Sequence, residues 1–299
     1  MKRILFFVHY NKYNGLSDYV VYLLEHIKHI YSRVVFISNS PLSAEQQKKI
    51  APFYDDIILR ENKGFDFGAW KDALLREGWD TLAQYDSVTL MNDTCFGPFF
   101  DMGTVYEGME KRDVDFWGIT ICEASKTGMP ITGGAIPEHI QSYFLCFNNT
   151  AIISPVFQNF WQNVQYLESV DKIIELYETQ LTQTLAKSGL TYCAFTPPPP
   201  TCSDSENLNR HRNIMIENPD FVIKNKAPFV KIKAFIHFPH PKYILDLIEE
   251  RTDYPVNLIH DYVTEMLDPN ISIKVCDKLI PVANNNVKCA FSGGGGGGT

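Results

Sequence analysis

Three oxygen-bearing side chains stand in a row at Asn92, Asp93 and Thr94, inside the stretch "YDSVTLMNDTCFGPF". Hard oxygen donors of this kind suit Mg²⁺ or Mn²⁺, and a divalent ion there can clamp a diphosphate and stabilise charge as it leaves. A lone acid at a strand end also commonly satisfies backbone donors, so Asp93 has a purely structural reading too. A second acid, Asp66, lies in "NKGFDFGAW" (62–70), between a strand-like run and a helix-like run. Gly64 lets the backbone turn there or approach a ligand closely. Asp66 then either caps the following helix or aims its carboxylate at a ribose or a metal. Neither GxGxxG nor GxxxxGK[ST] occurs, so this segment is not a dinucleotide fingerprint or a P-loop.

Further along, "EHIQSYFLCF" alternates so that a strand would carry His139, Gln141 and Tyr143 on one face. Hydrogen-bonding groups beside rings are what a sugar site needs; a satisfied strand histidine is the plainer account. Glu175 and Glu178 fall on an amphipathic helical stretch, where glutamates are usually solvated. Lys224, Lys226, Lys231 and Lys233 form a local cationic run, fit to hold a diphosphate or an anionic lipid-linked acceptor, or simply to line a solvated edge.

These residues need a scaffold, and the hydrophobic pattern specifies one. Continuous apolar runs at 3–10, 33–40 and 56–61 read as strands buried on both faces, separated by helical patterns, one of them opened by Ser43. That rhythm implies an α/β fold with a mostly parallel central sheet flanked by helices and right-handed crossovers. A fourth strand ends in the Asn92 loop. "VDFWGITICEA" reads as another strand, "IQSYFLCFNNTAIISP" as an antiparallel one, 169–189 as one long helix and "LTYCAF" as a last strand. In such sheets ligands bind beyond the carboxyl ends of the strands, where "VHYN", "SNS", "NKGFDFGAW" and "NDTCFGP" all fall. Residues 1–205 thus form one domain. Residues 206–291 are expected to be an extension packed on it or a lid, and 292–299 a flexible Gly-rich tail.

Composition narrows the partners. A formal charge of −8 argues against nucleic-acid binding, which needs a basic face. Seven cysteines, odd in number and without a CxxC pair, argue against a disulfide framework or a zinc site and for the reducing cytoplasm. No apolar run is long enough to span a bilayer.

Taken together, "ENKGFDFGAWKDAL", "YDSVTLMNDTCFGPF", "DFWGIT", "EHIQSYFLCF" and "FVIKNKAPFVKIKAF" resemble the rhamnan synthesis protein F family of bacterial glycosyltransferases, along nearly the whole chain from "FFVHYN". The resemblance implies a GT-A-like nucleotide-sugar-binding fold. It implies transfer of a deoxyhexose, rhamnose from dTDP-rhamnose, onto cell-surface polysaccharide or its lipid-linked precursor, with possible peripheral association at the inner membrane face. On that basis His9 and Tyr10 contact the nucleobase, Ser38 and Asn39 hold base or ribose, and Asn62, Gly64 and Asp66 border the nucleotide. Asn92 and Asp93 stand where such enzymes carry an Asp-x-Asp metal motif, here with Asn and Thr flanking one acid. Asp93 would hold the divalent metal, Lys231 the diphosphate, and Glu178 would be the base of an inverting single displacement. A non-catalytic carbohydrate-binding or scaffold protein that keeps the fold is the alternative.

Overall fold

The structure, a computed structural model, describes residues 1–197 and 213–266. The proline run from residue 198, the domain boundary at 205, residues 267–291 and the glycine tail lie outside the described residues. Eleven strands are present among them: β1 Arg3–His9, β2 Arg33–Ser38, β3 Asp56–Leu59, β4 Ser87–Asn92, β5 Cys95–Phe96, β6 Phe116–Gly118, β7 Ile121–Cys122, β8 His139–Ile140, β9 Phe144–Asn148, β10 Tyr192–Ala194 and β11 Val230–Lys231. Seven of them form one sheet in the order β10-β6-β9-β4-β1-β2-β3, while β11 pairs with β5 and β7 with β8. β1 runs parallel to both neighbours, with Phe7 opposite Phe36 on one side and Met91 on the other. β9 lies antiparallel between β4 and β6.

The buried apolar runs become strands because both sheet faces are covered. Leu5, Phe7, Val34, Phe36 and Met91 point into one core, and Ile4, Phe6, Val8, Val35, Ile37 and Leu90 into the other. α1 (Asp18–Ile27) links β1 to β2 and buries Leu23, Leu24 and Ile27 in the first core. α2 (Ala44–Ile50) links β2 to β3 and adds Ile50 to it; a capping box between Ser43 and Gln46 opens that helix. α3 (Phe65–Glu77) returns the chain from β3 to β4 and buries Phe67, Trp70, Ala73 and Leu74 on the opposite face. The covering face therefore changes beside β1.

Several elements depart from the sequence pattern. The run 114–124 does not form one strand. It leaves the sheet after Gly118, and β7 pairs elsewhere. The alternation across His139, Gln141 and Tyr143 is likewise broken, because β8 and β9 belong to different sheets and the chain turns between them. The Thr120 hydroxyl fastens that turn through the side-chain amide oxygen of Gln141 and the Tyr143 hydroxyl, each at 2.8 Å. The long helix of 169–189 is interrupted: α-helix at Val170–Ile173, a π-helical turn at Ile174–Glu178, then α-helix at Thr179–Ala186.

Residues 213–266 place Val222, Phe229, Ile244, Ile248, Ile259 and Val263 in the same core as Leu5 and Phe7. Two helices, Pro241–Arg251 and Asn257–Met266, close this part. No helix among the described residues is long and apolar enough to cross a membrane.

The β5–β11 pair sets Lys231 opposite Cys95, just past the end of β4. Its closeness depends on Gly97, at φ +136°, where an added Cβ would stand 2.3 Å from the Pro228 carbonyl oxygen and 2.7 Å from Phe229 Cδ1. Gly78, at φ +83°, has nothing within 4 Å of such a Cβ. Gly97→Ala should therefore destabilise the fold by about 2–4 kcal/mol, against about 1 kcal/mol for Gly78→Ala, where only the backbone preference is lost. Urea unfolding followed by tryptophan fluorescence measures both.

Candidate functional site

A cavity of about 380 Å³ opens at the carboxyl ends of β1 and β4. β1 contributes Val8 and the following Tyr10; β4 contributes Asn92, followed by Asp93 and Thr94. Asn39 comes from the loop after β2, and Asn62, Phe65, Asp66 and Phe67 from the entry into α3. The interrupted helix supplies an apolar wall of Val170, Ile173 and Ile174, with Glu178 at its end. Lys231, Ile232, Lys233 and Tyr262 complete it from the C-terminal part of the chain.

Asp93 is almost fully buried. One of its oxygens accepts the Tyr10 amide at 2.9 Å, and its own carbonyl accepts the Tyr19 hydroxyl at 2.6 Å. Burial pushes the Asp93 carboxyl up to about 7, against the pull of the Tyr10 amide, and the nearby Asp66 charge adds to the rise. Burial likewise lifts Asp66 to about 6, and the Glu178 charge reinforces it, although Asn92 donates to Asp66 Oδ2 at 2.8 Å. Glu178 goes the other way. Burial alone would raise it, but Lys231, His139 and the Ser142 amide, which donates to Oε1 at 3.2 Å, together hold it below the ordinary carboxylate range. The cavity thus contains one carboxyl group held below the ordinary range and two raised towards neutral pH.

The π turn accounts for where Glu178 lies. On a regular α-helix, residues three apart are neighbours, so Glu175 and Glu178 would share a face. The wider turn separates them. Glu175 accepts from the amides of Ile131 (2.9 Å) and Thr132 (3.3 Å) in an outer loop, while Glu178 is left to the cavity.

Of the residues singled out from sequence, Tyr10, Asn39, Asn62, Asp66, Asn92, Asp93, Glu178 and Lys231 all line this one cavity. His9, Ser38 and Gly64 do not. His9 and Ser38 are 1% and 0% exposed and bond to each other at 3.1 Å, so neither reaches a base or ribose. Burial takes the His9 imidazole down to about 4, which leaves it neutral, and its hydrogen bond to the Gly15 backbone fixes the loop carrying Tyr10. Gly64 is the residue before α3, at φ +71°, and an added Cβ would meet Tyr166 at 3.1 Å; its close approach is to that chain segment. Because Gly64 occupies the cap position, Asp66 is not the helix cap. Of the lysine run, Lys231 and Lys233 reach the cavity, whereas Lys224 pairs with Asp220 at 2.9 Å. Phe65, one of the rings flanking Asp66, walls the cavity, whereas Tyr19, Val170, Ile173, Ile174 and Tyr262 carry no such signal: each reads from sequence as an ordinary core or helix residue.

The three-oxygen reading of 92–94 also changes. Asn92 Oδ1 accepts both the amide and the hydroxyl of Thr94, at 3.2 and 2.7 Å, so this oxygen and Thr94 are tied to each other. Among the described residues no three His, Cys, Asp or Glu side chains gather as a metal cage. One or two carboxylates completed by substrate phosphates are nonetheless the usual Mg²⁺ arrangement. Asp93 and Asp66, whose proton affinity a cation would lower, fit it.

The model of the family described as "Rhamnan synthesis protein F" matches residues 34–290. The chain belongs to the rhamnan synthesis protein F family. A curated relative, an uncharacterized protein y4gN of Sinorhizobium fredii, is 23% identical over 206 residues, which is 68% of this chain and 50% of that protein. The chain spans about half the length of that relative. Solved structures similar to it include TarS of S. aureus, at 9% identity and TM-score 0.42, over 93% of this chain and 43% of that one. Another is the mannosyltransferase PcManGT of Pyrobaculum calidifontis in complex with GDP-Man and Mn²⁺, at 9% identity and TM-score 0.40, over 92% and 79%. A third is a nucleotide-diphospho-sugar transferase structure from Desulfovibrio desulfuricans G20, at 16% identity and TM-score 0.38, over 65% and 80%. TM-scores this low describe a general likeness and carry no residue correspondence.

The buried acids make stability depend on pH. Between about pH 4, where unfolded Asp titrates, and pH 7, Asp66 and Asp93 bind more protons folded than unfolded and lower stability as pH rises, while His9, taken down to about 4, binds fewer and offsets part of that fall up to about pH 6.5. Glu178, shifted downward, loses its contribution only at more acid pH, outside that window. With a chelator present, the unfolding free energy is expected to drop by about 1–3 kcal/mol from pH 5 to pH 8. Asp93→Asn, which removes the larger of the two raised groups while His9 still opposes the fall, should abolish most of the drop, as measured by urea titrations at the two pH values.

Proposed function

We propose that this chain is a glycosyltransferase that moves a deoxyhexose, rhamnose from dTDP-rhamnose, onto a cell-surface polysaccharide or its lipid-linked precursor, acting in the cytoplasm at the inner membrane face. The observation that supports it most is the convergence of Asp66, Asp93, Glu178 and Lys231 on one cavity in a member of the rhamnan synthesis protein F family.

The reaction is a single displacement. The acceptor hydroxyl oxygen attacks the anomeric carbon from the side opposite the nucleotide. The new C–O bond forms as the bond to the diphosphate oxygen breaks, its electron pair leaves with the diphosphate, and the configuration inverts. Glu178 takes the hydroxyl proton. It is ionised at neutral pH, and the Ser142 amide, donating to Oε1, orients it in the cavity. A carboxylate held below its ordinary range is a weak base at rest, so proton transfer belongs late in the attack, when the hydroxyl has become acidic. The Lys231 ammonium offsets the charge growing on the diphosphate, as does Lys233 at the cavity edge. A Mg²⁺ or Mn²⁺ ion held by Asp93 and Asp66 would, when bound, add positive charge to the leaving diphosphate. Its charge would lower the proton affinity of both carboxyls, which burial has raised.

Calorimetric titration of dTDP and UDP, each with and without Mn²⁺ or Mg²⁺, tests the donor site. Metal-dependent binding that Asp93→Ala abolishes is the expected result. Glu178→Gln should leave donor affinity within about three-fold and lower turnover by about 10²–10⁴. A Glu178→Gln variant as active as the parent in transfer would remove the base. A parent protein that binds carbohydrate but neither binds nor turns over any nucleotide sugar would make it the non-catalytic binder.

A further inference from the structure

Behind Asn39 runs a chain of hydrogen bonds with a fixed direction. Tyr166 donates to Asp72 Oδ1 at 2.6 Å, and Asp72 Oδ2 accepts from Arg60 Nε at 2.9 Å. Arg60 then donates to Asn39 Oδ1 at 2.7 Å. Arginine has donors only, so the oxygen of the Asn39 amide must face it. The nitrogen of that amide is thereby turned the other way, and it spends both hydrogens, one on Asn62 Oδ1 at 3.0 Å and one on the Phe65 carbonyl at 3.2 Å. Asn39 lines the cavity but has no donor left to offer a ligand.

Asn62 inherits the consequence. Its oxygen is committed to Asn39, so its amide nitrogen is the edge that remains, and that nitrogen has no hydrogen-bond partner among the described residues. An asparagine amide free to flip presents either polarity; this one is locked by an arginine two side chains away. Arg60 itself is anchored to Asp72 and the Lys63 carbonyl, and its side chain is only 11% exposed.

We infer that the Arg60–Asn39–Asn62 relay makes Asn62 a fixed hydrogen-bond donor at the nucleobase end of the cavity, selecting a base that offers a carbonyl oxygen there and rejecting one that offers an amino group. The inference rests on the nucleotide-sugar reading above. Asn62 and Asn39 follow β3 and β2, and Lys231 enters from the β5–β11 pair beyond β4, so the relay stands on the far side of β1 from the cation that suits a diphosphate. Uracil and thymine carry a carbonyl where cytosine carries an amino group. A donor facing a donor leaves both buried and unsatisfied, a penalty that a shape-matched pocket does not otherwise impose. Arg60 is a positioning residue in this scheme. Asn62 is the group that touches the base.

The test compares UDP with CDP by calorimetry under identical metal and salt conditions, so that phosphate and ribose terms cancel in the ratio of affinities. The protein should favour UDP by about ten-fold or more. Asn62→Asp keeps an oxygen for Asn39 and turns the outward group into an acceptor, and it should bring the ratio to one or invert it towards CDP. Arg60→Met, which frees the Asn39 amide to flip, should reduce the ratio while both nucleotides still bind. Equal affinities for UDP and CDP in the parent, or a ratio unmoved by Asn62→Asp, would overturn the relay while leaving the transferase reading intact. Binding of none of dTDP, UDP and CDP would overturn that reading, and the relay with it.

Discussion

The position of β1 is what everything else depends on. It lies between two parallel neighbours, β2 and β4, reached by crossovers that cover opposite faces of the sheet. Helices α1 and α2 pull away to one side and α3 to the other, so the strand ends between them cannot be closed over by a common layer. A crevice is thus a by-product of chain topology. Its floor is made of whatever residues immediately follow the strands, which is why Tyr10, Asn39, Asn62, Asp66 and Asp93 converge although they are scattered across the first ninety or so positions.

Depth turns that crevice into an electrostatic device. Asp66 and Asp93 are held where water cannot stabilise their charge well, and each is raised by burial before any neighbour is considered. Glu178 enters the same cavity from another direction, beside a lysine, and keeps its charge. Three chemically similar side chains therefore have different protonation behaviour within one space, set by which element brings each of them in. A cationic ligand or a metal-bound diphosphate would complete what the protein leaves electrically unfinished.

Much of this was legible in sequence, and the rest was not, for identifiable reasons. Buried parallel strands announce themselves as uninterrupted apolar runs, so β1 to β4 and the loops after them could be read directly, and with them most of the cavity floor. The depth of a strand end could not be read: His9 and Ser38 lie one residue before positions that do reach the cavity, and pleating alone puts them underneath. The π turn leaves no mark in periodicity, because one extra residue in a helix of mixed polarity is invisible, and Glu178 was separable from Glu175 only by resemblance. Tyr262 and Tyr19 belong to amphipathic helices whose aromatic face serves the core and the cavity at once. The break between β8 and β9 depends on Thr120, about twenty positions upstream, a tertiary contact that no local pattern encodes.

The pairing of Val230–Lys231 with Cys95–Phe96 has a consequence for the order in which the protein is made. The carboxylates of the cavity are all present once the chain has been extended through Glu178, but their counter-charge lies more than fifty positions later. Until then a ribosome-bound chain carries the acids beyond the strand ends without the lysine, and with one side of the Leu5–Phe7 core missing the helices that cover it. The sheet has no complete first core to condense on during that interval. The binding cavity is accordingly among the last parts of the molecule to become possible, and its assembly reports on the helices of residues 241–266 as much as on the strands whose ends form its floor.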